Sequence, residues 1–347
     1  MSLESATSNA TKEPMLFALG IGLTNECNLA CAFCYRDPAR TDRLTLADLR
    51  RAVESIPVQS VNLGTGENGM HPEFGPMLAY LREQPLKLTM TSNGYSVQVL
   101  ADQELKAFHE IEFSLDYPTE EEQDSQRGRG NWALIHEQAE RCRRLGVPVT
   151  LIAVMMRSNY DRLAEIAAIA KAYDAPLRLN VYQAVRSDAF ALTYDEYWEG
   201  FRQLFEKTDV LTIGEPLVRA MAGLPPRQGG CGVATVRVAP RGMVQPCVYW
   251  PGQGAPLDLL CDLREEILST DSFKAARSLP AACMACEYVA ACRGGCAGRR
   301  QLLGQLDEPD PYCPIVRNEK PLLPILLAVG RTLAKSGSAC TTVVMGR

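Results

Sequence analysis

The sequence predicts an α/β protein in which six strand-helix units form a parallel sheet with helices outside it. Two observations lead to this prediction: apolar strand-like runs alternate with helical patterns up to about residue 207, and polar motifs follow several of those strands directly. Alternating strands and helices are typical of parallel sheets. A third observation adds a smaller region after the sheet, because ten of the 13 cysteines fall into two spaced groups, one near the start and one in the last third.

Each strand of the predicted sheet is a short apolar run. The six are expected near Phe17, Val61, Leu88, Phe113, Ile152 and Leu179. The segments between them have helical spacing. Apolar residues recur at Leu46, Leu49, Val53 and Ile56 after the N-cap candidate Thr45, and at Leu163, Ile166, Ile169 and Ala170 after Asn159.

The region after the sheet begins with a loop rich in glycine and proline, residues 223–230. A β-hairpin fits the next residues, with strands at 236–238 and 243–245 and a turn in which Gly242 takes a positive φ. The apolar run 322–329, interrupted by Pro324, is expected to be a packed helix. We therefore predict a tail (1–14), the sheet domain (15–222), a cysteine-rich domain (223–318), and a C-terminal helix and tail (319–347).

Composition narrows the class of protein. A length of 347 residues suggests about two domains, and 46% apolar with 22% charged residues is ordinary for a globular chain. A net charge of -5 without a clustered basic stretch argues against nucleic acid as the main partner. No apolar run reaches the roughly 20 residues of a membrane helix, and no signal peptide precedes the first strand. We expect a cytoplasmic protein whose cysteines stay reduced.

The first cysteine group is Cys27, Cys31 and Cys34, directly after the first strand. Thiolates are the usual ligands of a [4Fe-4S] cluster, so three cysteines leave one of the four irons open for a small molecule. A structural zinc site or buried free thiols are the competing interpretations.

This motif resembles that of the radical S-adenosylmethionine (radical SAM) superfamily. The resemblance implies that the open iron is chelated by the amino and carboxyl groups of S-adenosylmethionine, whose reductive cleavage gives a 5'-deoxyadenosyl radical that removes hydrogen from an unactivated carbon. It also makes the sheet a partial (β/α)6 TIM-like barrel, whose chemistry is expected at the carboxyl ends of the strands.

The second cysteine group resembles the SPASM extension of radical SAM enzymes, which carries two auxiliary [4Fe-4S] clusters. Cys231 is followed after ten residues by Gly242 and after four more by Cys247, and later cysteines have spacings of two, five and three. The resemblance assigns Cys231, Cys247 and Cys296 to one cluster, and Cys283, Cys286, Cys292 and Cys313 to the other. We therefore expect three clusters and S-adenosylmethionine as cofactors.

One auxiliary cluster lacks a ligand that fully ligated family members supply just upstream of the position of Cys231. No cysteine lies between Cys142 and Cys231. The cluster keeps an open iron, takes Cys261, or uses a non-cysteine ligand; we favour the open iron. Cys142 and Cys340 remain as ordinary thiols, although the position of Cys340 in the tail would let it approach a cluster. Zinc is the alternative for the group from Cys283 to Cys296.

The loops after the strands supply candidate contacts to S-adenosylmethionine. The run Gly-Thr-Gly-Glu-Asn after the second strand resembles the family's Gly-Gly-Glu-Pro loop, with Glu67 as ammonium acceptor; a plain glycine-rich turn is the alternative. His71 is expected to tether this loop. The family parallel makes the following residues candidates for binding the cofactor: Tyr35, Gly66, Glu67, Ser92, Asn93, Ser114, Asp116, Arg127 and Asn180, with Phe33 and Tyr182 nearby.

The reaction that the resemblance implies is the oxidative modification of a ribosomally made peptide or protein, with the surplus electron passed to an auxiliary cluster. Sulfatase maturation is disfavoured because Val248, not an acidic residue, follows Cys247; Tyr249 is a candidate proton donor or acceptor. We expect an external electron donor such as flavodoxin or ferredoxin. About 14 residues precede the first strand, too few for a leader-binding domain, so either a separate partner binds the leader, the barrel mouth binds the peptide directly, or the substrate is small. A small-metabolite enzyme and a non-catalytic electron-transfer or sensor protein are the alternatives.

Overall fold

The computed structural model describes residues 15–226, 229–252, 254–328 and 340–347. In these residues eleven strands join into one sheet. The strands are β1 (Phe17–Ile21), β2 (Val58–Leu63), β3 (Lys87–Ser92), β4 (Glu110–Ser114), β5 (Val149–Met155), β6 (Leu177–Val181), β7 (Thr208–Ile213), β8 (Thr235–Val238), β9 (Met243–Gln245), β10 (Ala255–Pro256) and β11 (Thr342–Gly346).

The helices lie mainly between the strands. They are α1 (Leu46–Glu54), α2 (Phe74–Arg82), α3 (Tyr95–Val99), α4 (Asp102–Leu105), α5 (Glu120–Arg127), α6 (Asn131–Arg144), α7 (Leu163–Ala172), α8 (Tyr194–Lys207), α9 (Pro216–Met221), α10 (Leu257–Leu263), α11 (Asp271–Ala276), α12 (Val289–Cys292) and α13 (Ala297–Leu302). Short 3-10 turns occur at Asn68–Met70, Arg264–Ser269, Ala281–Cys283 and Ile315–Arg317. No helix within the described ranges is long and apolar enough to cross a membrane.

The six predicted parallel strands are confirmed. Strands β1 to β6 pair in chain order, and each pair is parallel. Their apolar side chains are almost completely buried, for example Phe113 and Leu151, because helices cover the outer face. The carboxyl ends of all six strands therefore meet at one edge, which is where ligand sites form in such folds.

Two local predictions about helices have different outcomes. Thr45 caps α1 as predicted, since its side chain accepts a hydrogen bond from the backbone N–H of Asp48. Helix α7 begins only at Leu163, and Asn159 takes no part in it. The buried Asn159 amide instead donates to the carbonyl oxygens of Asp116 and Val154, both at 2.9 Å, and so ties the end of β4 to β5.

The predicted hairpin is present as β8 and β9. Its turn includes Gly242 at φ 73°, a conformation that glycine adopts without steric cost. The sequence did not indicate that β8 also pairs in parallel with β1, so the hairpin continues the barrel sheet. Pairing between strands more than 200 residues apart leaves no local signal, because each strand shows only its own alternation.

The predicted C-terminal helix is wrong over residues 322–328, and residue 329 lies outside the described residues. This segment is extended, with the N–H of Ala328 donating to the carbonyl of Val210 at 2.8 Å, and Leu322 is 85% exposed. Prolines at 321 and 324 favour extended backbone at the residues before them. Beyond it, the tail forms β11, which inserts antiparallel between β6 and β7.

Candidate active site

A cavity of about 520 Å³ opens at the carboxyl edge of the sheet. The loop after β1 lines one side with Cys27, Cys31 and Cys34, and the hairpin region lines the other with Cys231 and Cys247. This volume lies within the range of small-molecule and cofactor sites, about 300–1,000 Å³. The fold therefore brings two cysteine groups, far apart in sequence, to one space.

The loop that carries the first cysteines is held by buried polar contacts. The buried guanidinium of Arg36 donates to the carbonyl oxygens of Asn25 (3.0 Å) and Leu29 (2.6 Å). Arg36 directly follows Cys34 and Tyr35, but no pattern in the sequence indicates this structural role. Burial raises the pKa of Cys27 to about 11 and also raises that of Cys31. Iron binding must therefore displace protons from these thiols.

The predicted Gly66-Glu67 loop lies in the cavity wall. A Cβ on Gly66, at φ 65°, would clash with the carbonyl oxygens of Thr24 and Glu26, so this loop packs directly on the cysteine loop. Thr65 also has a positive φ, 70°, which is a strained conformation for a β-branched residue. The hydrogen bond of its hydroxyl to Tyr35 (2.7 Å) helps to hold it there.

The carboxylate of Glu67 is buried, with the residue 1% exposed. Its Oε1 accepts from the Ser92 hydroxyl (2.5 Å) and the Ser96 N–H (2.8 Å), and its Oε2 accepts from the Asn93 N–H (2.9 Å). Burial raises the pKa of Glu67, and these hydrogen bonds oppose that rise. Glu67 thus joins the loops after β2 and β3 while one side of it faces the cavity.

Asn93 connects the loop after β3 to the cysteine loop. Its side-chain amide donates to Asn28 (2.8 Å) and to the sulfur of Cys27 (3.5 Å). His71 tethers its loop as expected: one ring nitrogen bonds the carbonyl of Leu44 (2.9 Å) and the other accepts from the N–H of Glu73 (3.0 Å). These contacts fix the cavity wall on which the first cysteines stand.

Asp116 and Arg127 form a buried ion pair at the far side of the cavity. Their closest atoms are 2.6 Å apart, with side chains 0% and 11% exposed. The other oxygen of Asp116 accepts from the N–H of Val154 at 2.8 Å. Burial alone would lower the pKa of Arg127, but Asp116 and Cys31 raise it on balance. Arg127 also lies over the ring of Phe33, 5.4 Å from its centroid, so Asp116 acts as a positioning residue for this cation.

Ser114, Asn180 and Tyr182 line the same cavity. Within the described residues, the side chains of Ser114 and Asn180 make no hydrogen bond, so both are available to a ligand. Tyr182 differs, because its hydroxyl donates to the carbonyl of Ser187 at 2.8 Å. Phe33 packs beside Tyr182 at the barrel mouth.

Tyr35 and Tyr249 stand between the two cysteine groups. Their rings pack edge to face, with centroids 5.2 Å apart. Burial raises the pKa of Tyr35 to about 12 and also raises that of Tyr249 well above its ordinary value, so both phenols stay protonated at neutral pH. Tyr249 can donate a hydrogen bond or a proton, but its phenolate is not available as a resting base. Arg237, which the sequence did not single out, also lines this part of the cavity.

Cys231, Cys247 and Cys296, which the SPASM resemblance assigns to one cluster, lie close together. The contact with the Cys231 thiol lowers the pKa of Cys247 to about 7, while the Sγ atoms of Cys247 and Cys296 lie 3.5 and 3.8 Å from the point that a Cβ on Gly298 would occupy. Cys261 is elsewhere: it lies on α10, with its thiol near the guanidinium of Arg51 of α1.

The other four cysteines of the SPASM pattern line a second, small cavity of about 20 Å³: Cys283, Cys286, Cys292 and Cys313. A buried ion network adjoins it: Arg299 pairs with Asp310 (2.7 Å) and Glu215 (2.9 Å). Asp310 also accepts from the N–H of Cys296 at 2.8 Å, which links the two auxiliary cysteine groups.

The donor set fits iron-sulfur clusters. All 13 cysteines are free thiols, and thiolate is the ligand that such clusters prefer. Across the described residues, no three His, Cys, Asp or Glu side chains are arranged to hold a single metal ion. Three thiols beside a cavity of ligand size match a cluster that keeps one iron for a small molecule.

The sequence model of the radical SAM superfamily matches residues 21–170, from the end of β1 to α7. These residues form a radical SAM domain. The interpretation of Cys27, Cys31 and Cys34 as the mark of that superfamily is thus confirmed for this domain, and its parallel strands agree with the partial barrel that the motif implied.

Relatives extend the likeness beyond the domain. Mycofactocin maturase MftC from Mycolicibacterium smegmatis is 29% identical over 327 residues, covering 84% of this chain and 81% of the relative. PqqA peptide cyclase from Ruegeria pomeroyi is 26% identical over 333 residues, covering 86% and 87%. The structure of native anSMEcpe with bound AdoMet and Cp18Cys peptide has a TM-score of 0.65 at 16% identity, covering 86% of this chain and 95% of that one, which concerns the fold alone.

Proposed function

We propose that this radical SAM enzyme oxidatively modifies a ribosomally made peptide by crosslinking, thioether formation or dehydrogenation. The observation that carries the proposal is the single cavity that the first cysteines share with Cys231 and Cys247. A substrate bound there would lie between the site of hydrogen removal and a site that takes up an electron. The names of relatives matching more than four fifths of the chain, a maturase and a peptide cyclase, support a peptide substrate.

In this proposal Cys27, Cys31 and Cys34 hold the first cluster, and Glu67 receives the ammonium of S-adenosylmethionine. Ser114 and Asn180, which line the cavity, are the candidate partners for other polar groups of the cofactor. When bound, the cluster and S-adenosylmethionine supply a carbon radical that removes hydrogen from an unactivated carbon.

The protein's own groups orient the cofactor and the substrate. Arg127, held by Asp116 and Phe33, presents a fixed cation for the cofactor carboxylate. Tyr249 stays protonated because of its burial, so it would serve as a hydrogen-bond donor to the substrate. Its ring packs edge to face against that of Tyr35, which holds both rings in the wall of the shared cavity.

Oxidation of the substrate leaves a surplus electron and a proton. The two auxiliary cysteine groups would each hold a cluster, and these clusters would accept this electron. With the first cluster, the protein would then carry three iron-sulfur clusters. Iron-sulfur potentials span roughly -700 to +450 mV, so such a transfer is energetically accessible. A flavodoxin or ferredoxin would supply the electron that starts each cycle, and a separate partner would bind the leader of the peptide.

The test is anaerobic incubation of reconstituted enzyme, reductant and S-adenosylmethionine with short peptides encoded beside this gene, followed by intact-mass measurement. We expect the loss of two hydrogen atoms from one peptide. Cys31→Ala should abolish both this change and the release of 5'-deoxyadenosine. Cys261→Ala is the matched control, since that thiol lies on α10 outside the cysteine groups and should leave both unchanged.

Other results point to the alternatives. Deoxyadenosine release with no mass change in any peptide, even in deuterated solvent that reveals epimerisation, would favour a small metabolite as substrate. Absence of deoxyadenosine from the reduced, reconstituted protein would favour a non-catalytic electron-transfer role. Deoxyadenosine release that persists in Cys31→Ala would contradict the assignment of the first cluster site.

A further inference from the structure

The group formed by Cys231, Cys247 and Cys296, which we call auxiliary site I, is one thiolate short of the four that a fully ligated [4Fe-4S] cluster needs. These residues come from three places in the fold: the loop before β8, the loop after β9, and the residue before α13. A fourth ligand would have to reach the same point from another element.

The last strand brings Cys340 to this point. Cys340 stands two residues before β11, whose Thr342 pairs with Leu179 of β6 on one side and Ile213 of β7 on the other. The N–H of Gly214 also donates to the carbonyl of Thr341 at 2.9 Å. Pairing on both sides fixes the backbone at the residues that follow Cys340. The sheet therefore sets where Cys340 lies, in addition to any contact of its own side chain.

The thiol of Cys340 belongs to the same cluster of side chains. It lines the main cavity together with Cys231 and Cys247, and it is close enough to the Cys231 thiol for a direct interaction. It also lies close enough to Cys296 for a direct electrostatic interaction. Cys340 therefore lies beside cysteines of auxiliary site I, a group that the SPASM resemblance had defined without Cys340.

The other unassigned cysteines are in the wrong places. Cys261 lies on α10 near the exposed Arg51 of α1, and Cys142 lies on α6 within the apolar core. Among the described residues that line the main cavity, the cysteines are those of the first group, Cys231, Cys247 and Cys340. No other cysteine outside the assigned groups shares this space with Cys231.

We infer that Cys340 is the fourth thiolate ligand of auxiliary site I. The inference rests on the proposed function, since it presumes that this site holds a [4Fe-4S] cluster, and it replaces the open iron that the sequence alone favoured. Binding converts the Cys340 thiol to a thiolate with loss of its proton. A cluster with four protein thiolates has no vacant iron for a substrate sulfur, so the site would serve electron transfer.

The test uses the full chain carrying Cys27→Ala, Cys31→Ala and Cys34→Ala, which removes the first cluster and leaves the auxiliary sites. After anaerobic reconstitution this parent should hold about eight iron atoms, four for each cluster. Adding Cys340→Ala should either lower the content to about four or leave a cluster that binds carbon-13 cyanide, seen as hyperfine coupling in the electron paramagnetic resonance spectrum. Adding Cys261→Ala instead should change neither readout.

The inference is overturned if the Cys340→Ala protein keeps the parent's iron and sulfide content, its spectrum and its indifference to cyanide. Cys340→Ser, which preserves side-chain size, covers the case in which the alanine variant does not fold; it should shift the spectrum, and an unchanged spectrum would equally refute the ligand role. None of these readouts needs a peptide or turnover. A failed peptide assay with the expected Cys340 result would therefore reject the substrate and not the ligand.

Discussion

Replacing Glu67 by glutamine tests the buried carboxylate that joins two loops of the cavity. Glutamine keeps the size of the side chain but turns one acceptor oxygen into an NH2 donor. If that NH2 takes the place of Oε2, it faces the N–H of Asn93; if it takes the place of Oε1, it faces the N–H of Ser96 and the hydroxyl of Ser92. At least one buried donor loses its acceptor in either orientation.

The expected cost follows from that count. A buried donor left without a partner costs about 1–3 kcal/mol, and the remaining hydrogen bonds weaken because the acceptor is no longer charged. Relief from burying a charge opposes this, since burial raises the pKa of Glu67. We therefore expect Glu67→Gln to lower the free energy of unfolding by about 1–3 kcal/mol. If the carboxylate also receives the cofactor ammonium, affinity for S-adenosylmethionine should fall at least about tenfold, which is about 1.4 kcal/mol.

Anaerobic urea denaturation gives the first quantity, and equilibrium binding of S-adenosylmethionine to the reconstituted enzyme gives the second. Glu73→Gln is the matched control, because its side chain is exposed in the same loop and should change neither. A Glu67→Gln protein as stable as the wild type would refute the assignment of its three hydrogen bonds. Normal affinity in a destabilised variant would refute only the role toward the ammonium.

Two further predictions concern the walls of the cavity. Asp116→Ala leaves Arg127 buried without its partner, which should lower the free energy of unfolding, measured by urea denaturation, by about 3–5 kcal/mol. The double variant Asp116→Ala with Arg127→Met should recover part of that loss, because it no longer buries an unpaired charge. No recovery would contradict the ion pair. Burial lowers the pKa of His71, so the unfolded chain binds its proton more readily; the free energy of unfolding should therefore fall as pH drops below about 6.5. His71→Gln should flatten this slope, and an unchanged slope would show that His71 does not titrate on unfolding.

The parts of the fold that the sequence predicted are those with local signals. The six parallel strands follow from short apolar runs, the start of α1 from the cap at Thr45, and the hairpin turn from Gly242. The predicted helix at 322–328 is wrong because a short apolar run suits an extended segment as well as a helix. The prolines at 321 and 324 favour extended backbone at the residues before them.

The candidate site likewise contains residues that local sequence signals predicted and residues that they did not. Spacing alone placed Cys27, Cys31 and Cys34 in one group, since ligands within one loop are close wherever the loop lies. The grouping of the four cysteines of the small cavity came instead from the resemblance to the SPASM extension, since Cys296 interrupts their order along the chain. Arg36 and Arg237 were missed because buried and exposed arginines look alike in a sequence. Asp116 was predicted as a ligand contact, whereas both of its oxygens bond within the protein.

The sequence by itself indicated the chemistry for which this protein is equipped, because ligand type and spacing are properties of short segments: thiolates suited to iron, a glycine-rich loop with an acidic residue, and strands that end in polar motifs. Only the tertiary structure decided which distant segments meet. It set the hairpin beside β1, so that both cysteine groups share one cavity, and it threaded the tail between β6 and β7, so that Cys340 reaches Cys231. Such contacts arise from backbone pairing and packing across the whole chain, which no local pattern records.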